Sequence, residues 1–100
     1  MIRGTTPTHK FNLPFDSSNI SAARVIYTQR GREILRKETK DFTMDGNAIR
    51  VELKQEDTLL FDCDYSVKLQ LRVLTNDGKT LATQPIIVSI EECLDNEVLK

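Results

Sequence analysis

The chain has 100 residues, 39% hydrophobic and 29% charged, a composition that fits one globular domain and excludes a disordered segment. Fourteen basic residues against fifteen acidic ones leave a net charge of −1, so electrostatics gives no drive toward nucleic acid or an anionic membrane. One histidine and two cysteines supply little for a catalytic centre, so a binding or structural module without cofactor, metal or small-molecule substrate is expected, not an enzyme. No apolar run approaches the ~20 residues that span a bilayer. The opening Met1-Ile2-Arg3-Gly4-Thr5-Thr6-Pro7 lacks the apolar centre of a secretion signal, which predicts a cytosolic chain.

Period-two alternation governs the chain from residue 8 onward. Phe11, Leu13 and Phe15 alternate with Asn12 and Pro14, which predicts a first strand over 8–15 after an irregular arm, 1–7. Arg30-Gly31 separates strands over 22–29 and 32–38, and Asp45-Gly46-Asn47 separates 42–44 from 48–54. In the latter, Ile49, Val51 and Leu53 alternate with Arg50, Glu52 and Lys54. Gln55-Glu56-Asp57-Thr58 favours a helical turn, with Leu59, Leu60 and Phe61 folding back over one open end. Val67, Leu69, Leu71 and Val73 alternate with Lys68, Gln70 and Arg72 in a strand over 65–75, and Asn76-Asp77-Gly78 turns it into a last strand over 79–91.

In that last strand Ile86, Val88 and Ile90 alternate with Ile87 and Ser89, which predicts cover on both faces. Pro85 cannot donate to a ladder, so it marks an edge or a bulge that shifts the inward face between Leu81 and Ile86. Seven short strands with regular turns predict one all-β domain, a two-sheet antiparallel sandwich over 8–91 with a tail over 92–100; a small barrel is the competing closure. The runs 8–15 and 79–91 are the candidate exposed edges able to accept a partner strand.

Few constellations offer chemistry. Pairing about the last turn puts Cys63 opposite residue 92, so Cys63 and Cys93 are either a cross-strand disulfide or two reduced, half-buried thiols. Zinc needs four ligands, and His9 with the two cysteines gives three. Asp41, Asp45, Asn47, Asp62 and Asp64 lack the spacing of a calcium loop and suit turns. His9 is expected at the margin of the core. Arg30, Arg32, Arg36, Lys37 and Lys40, mixed with Glu33 and Glu38, read as a solvated face with only Tyr27 for stacking. Ile2 in the arm and Leu94, Val98 and Leu99 in the tail are the interaction candidates, the last three at helix-like spacing.

Three stretches look familiar. Glu56-Asp57-Thr58-Leu59-Leu60-Phe61-Asp62-Cys63 resembles the corner before the sixth strand of immunoglobulin-type domains, although no cysteine in 22–29 can bridge Cys63 and no tryptophan is present. The likeness implies an immunoglobulin-like sandwich without the antibody-type core. The hairpin from Tyr65-Ser66-Val67 through Asn76-Asp77-Gly78 to Pro85-Ile86-Ile87-Val88-Ser89-Ile90 resembles the closing hairpin of small sandwich modules in tail and baseplate proteins of phages of Gram-positive bacteria. The opening Ile2–Thr8 followed by Phe11-Asn12-Leu13-Pro14-Phe15-Asp16 is similar to short prophage proteins. These likenesses cover under half the chain. They imply a virion protein, made in the bacterial host cytoplasm, whose partners are other virion proteins or copies of itself. A carbohydrate- or peptide-binding recognition domain is the alternative, and it needs Tyr27 and Tyr65 exposed in one groove.

Overall fold

A computed structural model of the chain describes residues 1–95 and 97–99; Asn96 and Lys100, within the predicted tail, lie outside the described residues. Eight strands are present among the described residues: β1 (Thr8–Asn12), β2 (Ile20–Gln29), β3 (Arg32–Glu38), β4 (Phe42–Asp45), β5 (Ala48–Glu52), β6 (Val67–Thr75), β7 (Thr80–Ala82) and β8 (Ile86–Val88). A single helical turn, α1 (Gln55–Thr58), lies where the acids and threonine predicted it. The strands form two antiparallel sheets, β1-β5-β4 and β3-β2-β6-β7, with β8 continuing β7 along β6. This order of pairing is that of an immunoglobulin-type sandwich whose smaller sheet lacks its outermost first strand.

Alternation places the core. Val25, Tyr27, Val67, Leu69, Leu71 and Val73 of the large sheet meet Phe11, Ile49, Val51 and Leu53 of the small one. Phe61, 1% exposed, closes one end of the sandwich, with its ring 5.9 Å from that of Tyr27. Leu60 does not follow it inward: at 57% exposure it points to solvent, because α1 ends at Thr58 and the chain turns after its cap, Leu59.

The turns are the glycine-bearing ones. In the β2–β3 hairpin Arg30 and Gly31 both take positive φ, 54° and 77°, the combination that a two-residue type I′ turn demands. The strain this places on Arg30 is met locally, since its guanidinium stacks 4.7 Å from the Tyr65 ring centroid and donates to the Tyr65 hydroxyl.

Pro85 divides the last strand as expected. Partners sum to 154 in the Arg72–Ala82, Val73–Leu81 and Leu74–Thr80 pairs and to 155 in the Leu69–Ile86 and Val67–Val88 pairs, a slip of one residue across 83–85. Within the gap Thr83 replaces the ladder: its N–H donates to Leu71 O and its hydroxyl accepts from Leu71 N–H. Cys63 and Cys93 are free thiols, both half-buried.

The arm is irregular but anchored. The Met1 ammonium donates to Ser89 O, Glu91 N–H to Met1 O and Arg3 N–H to Glu91 O, in a parallel bridge of Ile2 with Glu91. Gly4 N–H donates to the buried Thr58 hydroxyl, which itself donates to Thr5 O.

Two measurements test this packing. Phe61→Ala empties the end of the core and lowers urea-unfolding stability by about 3–5 kcal/mol. Because the thiols are free, a reductant leaves the wild-type unfolding midpoint unchanged.

Candidate interaction edge

The two sides of the sandwich differ in how they close. On one side polar groups fill the margin. His9 of β1 is half-buried, and its Nδ1 lies 2.7 Å from the Tyr27 hydroxyl, with the two rings 5.6 Å apart. When the imidazole is neutral and Nδ1 bare, the hydroxyl donates to it; protonation makes Nδ1 a donor and reverses the bond. Burial, with a smaller contribution from the Met1 ammonium, holds the His9 pKa below its ordinary value. Burial, and then the charge of Asp57, pushes the Tyr27 phenol well above its usual range.

Lys37 corrects the reading of 30–40 as a solvated face. Its pairing with Val25 turns its side chain inward, where Nζ meets Asp57 of α1 at 2.8 Å with only 12% and 15% of the two side chains exposed. Burial works to raise the Asp57 pKa, but the Lys37 hydrogen bond, the Lys54 N–H and both lysine charges outweigh it and lower it. The rest of the run is an exposed ladder: Arg36 joins Glu33 and Glu38, and Arg24 also reaches Glu38.

The other side stays open. Period two and the ladder register turn Leu81, Ile86 and Val88 toward the interior, opposite Val73, Leu69 and Val67. Leu81 and Ile86 nevertheless remain 45% and 44% exposed. The small sheet stops at β1 and places no strand over them. What lies opposite is the chain leaving β1, so Leu13, Phe15, Leu71, Val73, Leu81 and Thr83 line an apolar groove.

The outer side of the same edge corrects a second expectation. Ile87, paired with Lys68, is 67% exposed, so β8 is covered on one face only. The backbone is equally unpartnered. Thr83 and Lys79 bond inward to β6, so the alternate residues Thr80 and Ala82 aim N–H and C=O away from the sheet. Beyond the break the phase changes: Ser89 and Glu91 bond outward to the arm, which puts Ile87 on the outward side as well. Among the described residues no strand pairs along Thr80–Val88 on that side.

The predicted interaction residues lie apart from one another, Ile2 against Glu91 and Leu99 against Gln55 of α1. Ile2 is 42% exposed, and its backbone is occupied by the bridge to Glu91. Leu94 is fully exposed, Leu99 is 76% exposed and Val98 is half-buried. The described part of the tail is not helical; Leu99 exchanges two exposed hydrogen bonds with the Gln55 side chain. Leu81 and Ile87 lie within the run 79–91 that the sequence offers as a candidate edge, but their exposure is not legible there, because alternation reports which way a side chain points, not whether anything stands opposite.

Other predicted groups do not assemble. Asp62, Cys63 and Asp64 have ligand atoms within 4.8 Å of one another, as a turn in which Asp62 Oδ1 accepts from Asp64 N–H. His9 lies apart from them, hydrogen-bonded to Tyr27. Tyr27 is 0% exposed while Tyr65 is 39% exposed, so the two tyrosines form no common stacking platform. Counting by twos from Ala23 and Val25 already places Tyr27 inward. No protein-family model, curated protein or solved structure matches the chain.

Hydrogen exchange checks the edge directly. The amides of Leu81, Ile86 and Val88 are protected, while those of Thr80, Ala82 and Ile87 exchange freely, with the phase change falling across 83–85. For His9, whose folded pKa lies below the unfolded value of about 6.5, the neutral form is the one stabilised. Its contribution is therefore complete above about pH 6.5 and is lost as pH falls through the folded value. Denaturant midpoints of the wild type decline over that window, and those of His9→Gln decline less.

Proposed function

We propose that this chain is a non-enzymatic assembly module acting through protein–protein contacts, and that the β7–β8 edge is the surface it uses. One observation carries the reading: Leu81 and Ile86 point into the sandwich yet stay nearly half exposed, beside Ile87 at 67%. An extended segment laid along Thr80–Val88 gains main-chain hydrogen bonds from the outward amides and carbonyls. It also covers the apolar groove behind them. Backbone pairing supplies affinity without demanding a particular sequence, and the groove selects apolar side chains at alternate positions.

The setting we propose is a virion of a phage of Gram-positive bacteria, in its tail or baseplate, with the module made in the host cytoplasm. Its partners there are other virion proteins or further copies of itself. What supports this setting is the likeness of the Tyr65–Ile90 hairpin and of the Ile2–Asp16 opening to such proteins. The edge supplies the mechanism and the likeness supplies the place.

Sedimentation and hydrogen exchange at rising concentration test the role of the edge. Association is accompanied by protection of the Thr80, Ala82 and Ile87 amides. Ile87→Lys, an exposed change that leaves the fold intact by circular dichroism, weakens association at least about tenfold, or ~1.4 kcal/mol. A chain that stays monomeric to millimolar concentration, with those amides unprotected throughout, removes the reading.

A further inference from the structure

We infer that the segment that fills the open edge is the acidic, apolar stretch 91–99 of a second copy of this chain. The inference rests on the assembly role proposed for β7–β8 and names its occupant. Three features of the molecule converge on it.

The first is charge. Between residues 91 and 99 the chain carries Glu91, Glu92, Asp95 and Glu97 and no basic residue. The strand behind the open edge carries the opposite sign. Lys68 and Arg72 stand on the outer face of β6 directly behind Ile87 and Ala82, both exposed, and neither is in an ion pair among the described residues. Between Thr80 and Ser89 the edge has no charged residue to repel an incoming acid strand.

The second is apolar matching. Leu94 is fully exposed and Leu99 is 76% exposed on the donor, while Leu81, Ile86 and Ile87 are 45%, 44% and 67% exposed on the edge. The third is length. Thr80–Val88 and Glu91–Leu99 are nine residues each, roughly 30 Å when extended, so one can run the whole of the other. Release of the Leu99 end of the donor is inexpensive, because its hydrogen bonds with Gln55 are exposed, whereas freeing Glu91 also breaks its bridge to the arm.

Donor and acceptor are different surfaces of one molecule. The contact is therefore heterologous, and repetition gives a ring if the rotation closes or a filament if it does not.

Two variants and their mixture test the assignment. Leu94→Asp with Leu99→Asp spoils the donor at exposed positions; Leu81→Lys with Ile87→Lys spoils the acceptor. Light scattering is expected to find each variant monomeric where the wild type associates, and their equimolar mixture a 1:1 dimer that grows no further, since only one intact contact can form. Raising salt from 0.05 to 0.5 M weakens the wild-type association several-fold as the charges are screened. If the donor variant associates like the wild type while the acceptor variant does not, some other segment occupies the edge and the inference is overturned, with the edge reading intact. If the acceptor variant also associates like the wild type, the edge reading fails with it.

Discussion

The unequal width of the two sheets is the constraint on which the rest of the molecule depends. Three strands cannot cover the inner face of a sheet made of β3, β2, β6 and the two-part last strand. The large sheet must therefore either present apolar side chains to water at one margin or replace them there with polar ones. It does each at a different margin. Beside β3 the inward position falls to Lys37, and the lysine is matched by Asp57 from α1. Beside β6 the inward positions remain Leu81 and Ile86.

The polar margin is built for permanence. A half-buried ammonium or carboxylate left alone is costly, so Lys37 and Asp57 each require the other, and Asp57 also accepts from Lys54 N–H at the start of its turn. Next to them Tyr27 presents its hydroxyl to His9 across the sheets. Thr58, fully buried, ties the same turn to the arm through Gly4 and Thr5. Gln29, 5% exposed, spends its whole amide on the 62–65 loop, donating to Asp62 O and Tyr65 O and accepting from Asp62 N–H. Every buried polar side chain in this region thus has a structural partner.

Much of this architecture is legible in the sequence, for a local reason. Alternation and turn chemistry act between neighbours, so the strands, the glycine turns, the short helix and the break at Pro85 are all visible before any contact is known. The one-residue slip of the last hairpin follows from a residue that cannot donate. The roles of Tyr27, Lys37 and Ile87 are not local. They depend on β1 pairing with β5 and β2 with β6, partners 36 to 55 residues apart, and on where each sheet then stops. Ile87 sits among apolar neighbours and so reads as buried on both faces. Only the absence of a covering element over Lys68, Ile87 and Ala82 reverses that.

The sheet edges are guarded in different ways. β3 is lined by Arg32, Glu33, Arg36 and Glu38, a row of charges that resists strand addition. β4 is four residues long and ends at Asp45. The edge from Thr80 to Val88 has no such charge, and its apolar residues would ordinarily make it an aggregation template. Pro85 and the slip across 83–85 limit the hazard by dividing the edge into two three-residue strands with opposite hydrogen-bonding phase. A partner strand must accommodate the same slip to pair with both halves, whereas a flat strand of arbitrary origin can pair with only one. Under the proposed assembly role the break makes a sticky edge selective, without adding a charge that would also repel an acidic segment.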